Sequence, residues 1–180
     1  MGEIRKKQLV LPFVAAFGSE QRAVDHGLEM LSGVFGEPIF VSQFFRFDEF
    51  TDYYEPSMGR VLYKQLWAFR NLWNPENLAD LKIATNGFED EYARRQQGAG
   101  SVERPLNLDP GYIDLGKLVL ASTKDHSHRI YLRDGIFAEV TLIYTQKTWQ
   151  KLPWTYPDYQ SPDYHEFLNK SRNHLHAELR

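Results

Sequence analysis

Hydrophobic residues along this chain fall into two patterns, short continuous runs and segments with a helical repeat. Residues 8–17 form an apolar run that ends at Gly18. After Ser19, apolar residues recur at three- and four-residue steps as far as Phe35. The run is typical of a buried strand, and the repeat predicts a helix that buries one face. Residues 39–47 are rich in β-branched and aromatic side chains and predict a second strand.

The middle of the chain continues this alternation of strands and helices. The apolar positions of residues 60–73 fit either a strand or a helix, and we favour a strand. Asn74 and Pro75 predict the start of a helix, because asparagine caps helices and proline suits the first helical position. The apolar run 115–123 has no decisive period, and we expect a short helix capped by Asp114.

The C-terminal third predicts a β-hairpin and a last helix. Asp134 and Gly135 readily adopt the left-handed backbone of a tight hairpin turn, and Ser161 can cap the final helix. The full order of elements is that of a split βαβ unit with an extension. We therefore expect an α/β fold of the α+β sandwich type, with a ferredoxin-like split βαβ core, an added β-hairpin and a C-terminal helix. One domain is expected to span residues 1–180.

Composition and charge narrow the classes of function. The chain has 24 acidic and 21 basic residues, and its net charge of -3 disfavours nucleic acid as a partner. The absence of cysteine excludes disulfides, thiolate nucleophiles and Cys-type zinc sites. Lys6 and Lys7 before an apolar run imitate a signal peptide, but that run is short and contains Pro12. We therefore expect a cytoplasmic protein with no membrane partner.

The segment KDHSHR, residues 124–129, is the leading candidate for a working site. Lys124 and Arg129 are fixed cations, while His126 and His128 titrate near neutrality. We expect Lys124, His128 and Arg129 to hold an anion, and His126 or His128 to transfer protons. A three-residue hairpin loop would place Arg129 opposite Glu139, and a two-residue loop would shift the pairing by one. The sequence leaves that register open.

Carboxylates near this segment complete the candidate site. Asp109 and Glu139 are expected to orient the histidines as part of the catalytic group, and Asn107 precedes Asp109 in a Pro-Gly turn. His126 and His128 could also share a metal with one of these carboxylates. A single histidine pair without a defined third ligand is too weak a signal, so we predict no metal site.

Further ligand-binding candidates lie elsewhere in the chain. Tyr53 and Tyr54 are adjacent, so in an extended segment at least one phenol must face away from the core. Asp52 beside them and Lys117, upstream of the KDHSHR segment, are second-tier candidates.

Several stretches closely resemble the signature blocks of an uncharacterised bacterial family, known as a domain of unknown function. These blocks are TDYYEPSMG (51–59), NLDPGY (107–112), KLVLASTKDHSHRIYL (117–132), GIFAEVTLIY (135–144) and WTYPDY (154–159). Some members carry the automated label "GTP-binding protein". The chain lacks the G-x-x-x-x-G-K-[ST] loop that a conventional GTPase needs to hold phosphates, so the resemblance implies no activity of that kind.

The residues together predict a pocket for a phosphorylated or otherwise anionic small molecule, with a nucleotide among the candidates. The alternative is a non-catalytic binding module for RNA or a protein partner. Strands of a split βαβ sheet can carry RNA, although the aromatic motif of such modules is not evident. The sequence leaves open whether the chain is an enzyme, which cofactor it uses and what its oligomeric state is.

Overall fold

A computed structural model describes residues 2–3, 6–98 and 101–180 of the chain. The strands are β1 (Leu11–Gly18), β2 (Pro38–Val41), β3 (Phe45–Arg46), β4 (Tyr63–Phe69), β5 (Asn107–Ile113), β6 (Lys117–Ser122), β7 (Ile130–Arg133), β8 (Ile136–Thr145) and β9 (Thr148–Lys151). The helices are α1 (Gln21–Phe35), α2 (Glu55–Met58), α3 (Leu78–Arg95) and α4 (Pro162–Glu178). No helix in these ranges is long and apolar enough to cross a membrane.

The core has the predicted ferredoxin-like topology. Its strands follow the sheet order β2, β4, β1, β5, and each neighbouring pair is antiparallel. Strand β1 is the central strand, and all eight of its residues are buried. Helix α1 connects β1 to β2, and α3 connects β4 to β5. The split βαβ expectation is therefore confirmed.

The added strands extend the sheet beyond β5 in the order β6, β8, β7. The turn between β7 and β8 is a two-residue turn, because Asp134 and Gly135 both have positive φ and Arg133 pairs with Ile136. A register shift between Tyr131 and Arg133 then changes the pairing. As a result Ile130 pairs with Ala138, which brings the residue before Ile130 alongside Glu139. This settles the register that the sequence left open.

Helices cover the two faces of the sheet unequally. Helices α1 and α3 pack on one face, against Val14 and Ala16 of β1. Helix α4 packs on the opposite face, against Leu11, Phe13 and Ala15. This alternation along β1 is the two-residue period of a strand buried on both sides.

Three sequence-based expectations are corrected. The turn expected at Pro110 and Gly111 is continuous strand, because both residues pair with β1 inside β5. Residues 115–123 contain strand β6 and not a helix, because Leu118 and Leu120 pack toward α4 while Val119 and Ala121 pack toward α3. A run buried on both faces has no period, so length and apolarity could not separate strand from helix. The strand expected over 39–47 is divided into β2 and β3, and between them the Ser42 hydroxyl accepts the Leu66 N–H.

Strands β5 and β6 part before either strand ends. Their pairing covers only Gly111–Ile113 and Leu118–Leu120, while β5 continues along β1 to Asn107 and β6 continues along β8 to Ser122. We call the diverging segments, 107–110 of β5 and 121–122 of β6, the fork. Pro110, the fork residue next to the paired segment of β5, has no N–H to donate to a neighbouring strand.

Side chains of α3 replace the missing strand partner at the fork. The Leu108 N–H donates to Glu89 at 2.8 Å, and the Lys82 Nζ donates to the Leu108 carbonyl at 2.9 Å. Both polar groups of this buried residue are thus satisfied without β6. The gap between the strands lets these side chains of α3 extend toward the opposite face of the sheet.

Replacing Gly111 with alanine tests how closely β5 and β6 approach just before they part. An added Cβ would lie 2.1 Å from the Val119 carbonyl oxygen, so the backbone must shift. We expect Gly111→Ala to lower the free energy of unfolding by roughly 1–3 kcal/mol, measured by urea denaturation. Gly87→Ala is the control, because the open position in α3 should gain roughly 0.5–1 kcal/mol. Equal stabilities of the two variants would contradict this account.

Candidate functional site

The fork opens into a pocket of about 700 Å³. Its walls come from β5, β6, β8 and α3, from the loops around residues 47–54 and 123–129, and from residues 156–159. Pockets of this size accommodate small molecules and cofactors. The divergence of β5 and β6 therefore creates a candidate site between the two strands.

Most of the candidates named from the sequence line this pocket: Tyr53, Tyr54, Asn107, Asp109, Lys124, His126, Arg129 and Glu139. They come from segments far apart in sequence, and the fold brings them together. Lys117 does not join them, because it begins β6 and the pocket lies at the other end of that strand. Asp52 is exposed and, like His128, is also outside the lining.

Glu139 organises the KDHSHR segment. Its buried carboxylate accepts a hydrogen bond from Arg129 Nε at 2.9 Å and lies 3.0 Å from His128 Nε2. Arg129 also donates to the Ser122 hydroxyl and to the Lys124 carbonyl. These bonds fix the loop after β6, so Arg129 has a structural role in holding that loop.

The two histidines have different surroundings. His128 stacks on Trp154, with ring centroids 4.9 Å apart, and is outside the pocket lining. His126 lines the pocket, is exposed, and stacks on His128 at 5.8 Å with nearly parallel rings. Of the two, only His126 is exposed on the pocket lining, and His128 lies between it and Trp154.

A buried ion pair forms one side of the pocket, and sequence reasoning missed it. Lys64 Nζ lies 2.7 Å from Asp158 Oδ2, and their side chains are 3% and 1% exposed. Four aromatic rings surround the ammonium at 4.2 to 5.8 Å, those of Phe17, Phe47, Tyr159 and Tyr164. Alternation in β4 gave no hint of this, because a lysine in a strand usually faces solvent.

The α3 residues Lys82 and Glu89 are a second group that was missed. Lys82 Nζ lies 3.7 Å from Asp109 and 3.9 Å from Glu89. Burial raises the pKa of the Glu89 carboxyl, and the Lys82 charge opposes that shift. The sequence showed Lys82, Asn86 and Glu89 on one polar side of the helix, a pattern that usually marks a solvated face.

Two polar atoms in the pocket walls are buried and have no hydrogen-bond partner among the described residues. They are Asn107 Nδ2 and Tyr159 Oη, in side chains of residues that are 4% and 2% exposed. Burial and the nearby carboxylates of Asp158 and Asp109 raise the pKa of the Tyr159 phenol, so it keeps its proton. Leaving a buried donor unpaired costs roughly 1–3 kcal/mol. Both atoms therefore favour a bound partner with acceptor atoms.

The mouth of the pocket is defined by Tyr53, Lys124 and Arg104. Lys124 Nζ donates to the Tyr53 hydroxyl at 3.1 Å, which joins the two loops across the opening. This hydrogen bond, together with the charges of Lys124 and Arg104, lowers the pKa of the Tyr53 phenol. The charges of Lys124 and Arg104 therefore both act on the Tyr53 phenol. All contacts of the Arg104 guanidinium with described side chains are made by Nη2, to Glu89 and Asn107.

Charges in the lining are nearly balanced. The basic side chains are Lys64, Lys82, Arg104, Lys124 and Arg129, and the carboxylates are Glu89, Asp109, Glu139 and Asp158. No group of three or more His, Asp or Glu side chains suited to a metal ion occurs within the described ranges. A bound molecule would therefore meet hydrogen-bonding side chains and paired charges.

A model of a family described as "Domain of unknown function (DUF4416)" matches residues 7–175. The matched range contains every residue of the pocket lining. No curated protein and no solved structure matches the chain.

Breaking the Lys64–Asp158 pair should strongly destabilise the protein. We expect Lys64→Met to lower the free energy of unfolding by roughly 3–5 kcal/mol, because it leaves a buried carboxylate unpaired. Adding Asp158→Asn removes that charge and keeps an acceptor for the Tyr164 hydroxyl, so the double variant should recover part of the loss. Urea denaturation of the two single variants and the double variant gives the coupling energy.

The matched control is Lys170→Met, which breaks an exposed ion pair with Glu166 on α4. Its effect should be at most about 1 kcal/mol, because solvent screens such pairs. Strictly additive losses at Lys64 and Asp158 would show that the buried pair is not coupled.

Proposed function

The chain belongs to the DUF4416 family, and we propose that its pocket binds a phosphorylated or otherwise anionic small molecule whose charged group lies at the mouth. The observation that carries this proposal is the pair of cations there, Lys124 and Arg104, whose charges act together on Tyr53. Lys124 is exposed and Arg104 is 40% exposed in its side chain, so both can reach a ligand.

Burial divides the cations of the lining into two groups. Lys64, Lys82 and Arg129 have side chains at most 8% exposed, and each is paired with a carboxylate. Neutralised cations add little attraction for an anion. Lys124 has no carboxylate partner within the described residues, and its hydrogen bond is to a phenol. Arg104 is paired with Glu89 at 3.2 Å, but its side chain is 40% exposed and can still reach a ligand. An anionic group therefore gains most at the mouth, where a charge-assisted hydrogen bond can form.

Two residues of the pocket are suited to proton transfer with such a ligand. His126 lines the pocket and is exposed, and the Asp109 side chain is 32% exposed with Lys82 as its nearest charged partner. A histidine and a carboxylate are the usual groups for general acid–base chemistry. We propose these two as the catalytic candidates for a reaction on the bound molecule. In keeping with a phosphorylated ligand, we propose a cytoplasmic location.

A second candidate function, binding of a partner protein, is supported by strand β7. It forms an edge of the sheet, and Ile130, Tyr131 and Leu132 are 71%, 59% and 39% exposed. An exposed apolar edge can accept a strand from another protein through backbone hydrogen bonds. This function would use a surface outside the pocket lining.

Neutralising the mouth should abolish anion binding and leave the fold intact. We expect inorganic phosphate, nucleotides or sugar phosphates to raise the Tm of the wild type. The same compounds should leave the Tm of the Lys124→Gln/Arg104→Gln variant unchanged. Each lost charged hydrogen bond contributes roughly 1.5–3 kcal/mol, so binding should weaken about tenfold or more per cation.

The control variant is Lys117→Gln/Lys151→Gln, which removes the same charge at strand positions away from the lining. It should bind anions as the wild type does. No Tm shift of the wild type with any of these compounds, or an equal loss of binding in the control, would overturn the proposed site.

Charges placed on strand β7 should block a partner that adds a strand. We expect Ile130→Lys/Leu132→Lys to lose the proteins that wild type retains in a pull-down, because lysine on an edge strand opposes pairing. Anion binding should be unchanged in this variant. Equal retention by both proteins would remove β7 as a docking surface.

A further inference from the structure

We infer that the inner end of the pocket recognises hydroxyl groups, so that the ligand is a phosphorylated polyhydroxy compound of the sugar-phosphate class. The residues that carry this are Asn107, Asp109 and Tyr159, which we call the inner subsite. The inference rests on the proposed anion-binding function and adds the chemical class of the part of the ligand that lies deep in the pocket.

The members of the inner subsite share one face of the sheet. Asn107 and Asp109 are two positions apart in β5, so their side chains point the same way. Asn107 pairs with Phe17, and Phe17 pairs with Lys64, which places Lys64 in the same row. The Lys64 ammonium lies 5.0 Å from the centre of the Tyr159 ring. Tyr159, Asn107 and Asp109 all line the pocket, and Asp109 is close enough for its charge to act on the Tyr159 phenol.

The hydrogen-bonding groups of the subsite are a mixture of donors and an acceptor. Asn107 Nδ2 and Tyr159 Oη are buried donors without partners in the described structure. Asp109 offers carboxylate oxygens. Its Oδ1 lies 3.7 Å from Lys82 Nζ, which is longer than a hydrogen bond. A ligand group that satisfies all three must both accept and donate.

Hydroxyl groups meet that requirement, whereas phosphate, carboxylate, ammonium and apolar groups do not. A second phosphate or a carboxylate only accepts, and it would be repelled by Asp109, Glu139 and Asp158. An ammonium group only donates, so the Asn107 amide nitrogen would stay unpaired. An apolar group would leave all three without partners. Adjacent hydroxyls can accept from Asn107 and Tyr159 and donate to Asp109.

The lining of the pocket suits a ligand with two different ends. The mouth offers Lys124 and Arg104 to an anion, and Arg104 Nη2 also donates to the Asn107 side-chain oxygen Oδ1 at 2.5 Å. One side chain thus connects the mouth to the inner subsite. A phosphate at the mouth would leave the carbon chain and its hydroxyls facing Asn107 and Asp109.

Calorimetric titration of the full chain tests the class of ligand. The probes are ribose 5-phosphate, glucose 6-phosphate and sorbitol 6-phosphate, with butyl phosphate as the matched compound that lacks hydroxyls. Sites built to bond a hydroxyl strongly reject analogues without it, so the best polyhydroxy phosphate should bind at least about tenfold more tightly than butyl phosphate. Butyl phosphate binding as tightly as the best sugar phosphate would overturn the inner subsite and leave the anion site in place. Binding by no member of the panel would overturn both.

Tyr159→Phe provides a second test with an unusual sign. Removing an unpartnered buried hydroxyl should raise the Tm of the free protein, because the wild type gains no bond from it. The same change should weaken the best sugar phosphate and leave butyl phosphate unchanged. The control is Tyr164→Phe, which removes the 2.6 Å bond to Asp158 and should lower the Tm. Unchanged sugar-phosphate affinity in Tyr159→Phe would remove the phenol from the subsite.

Discussion

The site depends on one requirement, that the Leu108 peptide groups find partners where β6 turns away from β5. A buried N–H or carbonyl without a hydrogen bond is costly, so a sheet cannot simply open in its middle. Here Lys82 and Glu89 supply the bonds that the next strand would have made. A buried ion pair on α3 therefore permits the fork, and the fork provides the space in which ligand-binding side chains can meet.

The paired charges of the lining fit the proposed ligand-binding function better than a role in stability alone. Well-packed apolar side chains often stabilise a core as much as a buried ion pair does. Yet Lys64 with Asp158, and Arg129 with Glu139, are all within 5% exposure on the pocket walls. Fixed charges of both signs give a pocket oriented dipoles without movement on binding. Because these charges neutralise each other, the free attraction for an anion is left to the exposed cations at the mouth.

Sequence patterns predicted the fold better than the site, for physical reasons that particular residues illustrate. Helical and strand periods report burial, and the order of elements led to the ferredoxin-like core. The period failed at β6, whose residues are buried on both faces. The pocket depends instead on pairing between distant segments. Lys64 and Lys82 looked like solvated residues. No local sequence feature shows that β6 turns away from β5, or that the distant Asp158 pairs with Lys64. The KDHSHR segment stood out only because its titratable groups are adjacent in sequence.

Within that segment, burial separates residues that the sequence could only group together. Arg129 is buried against Glu139 and holds the loop by bonds to Ser122 and to the Lys124 carbonyl. A guanidinium so engaged cannot leave its carboxylate for a ligand without exposing an unpaired buried charge, which is the costly case. Lys124 and His126 belong to the same segment but are exposed. Contact with a ligand therefore does not require them to leave a buried carboxylate partner. The most conspicuous charge in the sequence is therefore the support of the site, and its less constrained neighbours are the groups that can meet a ligand.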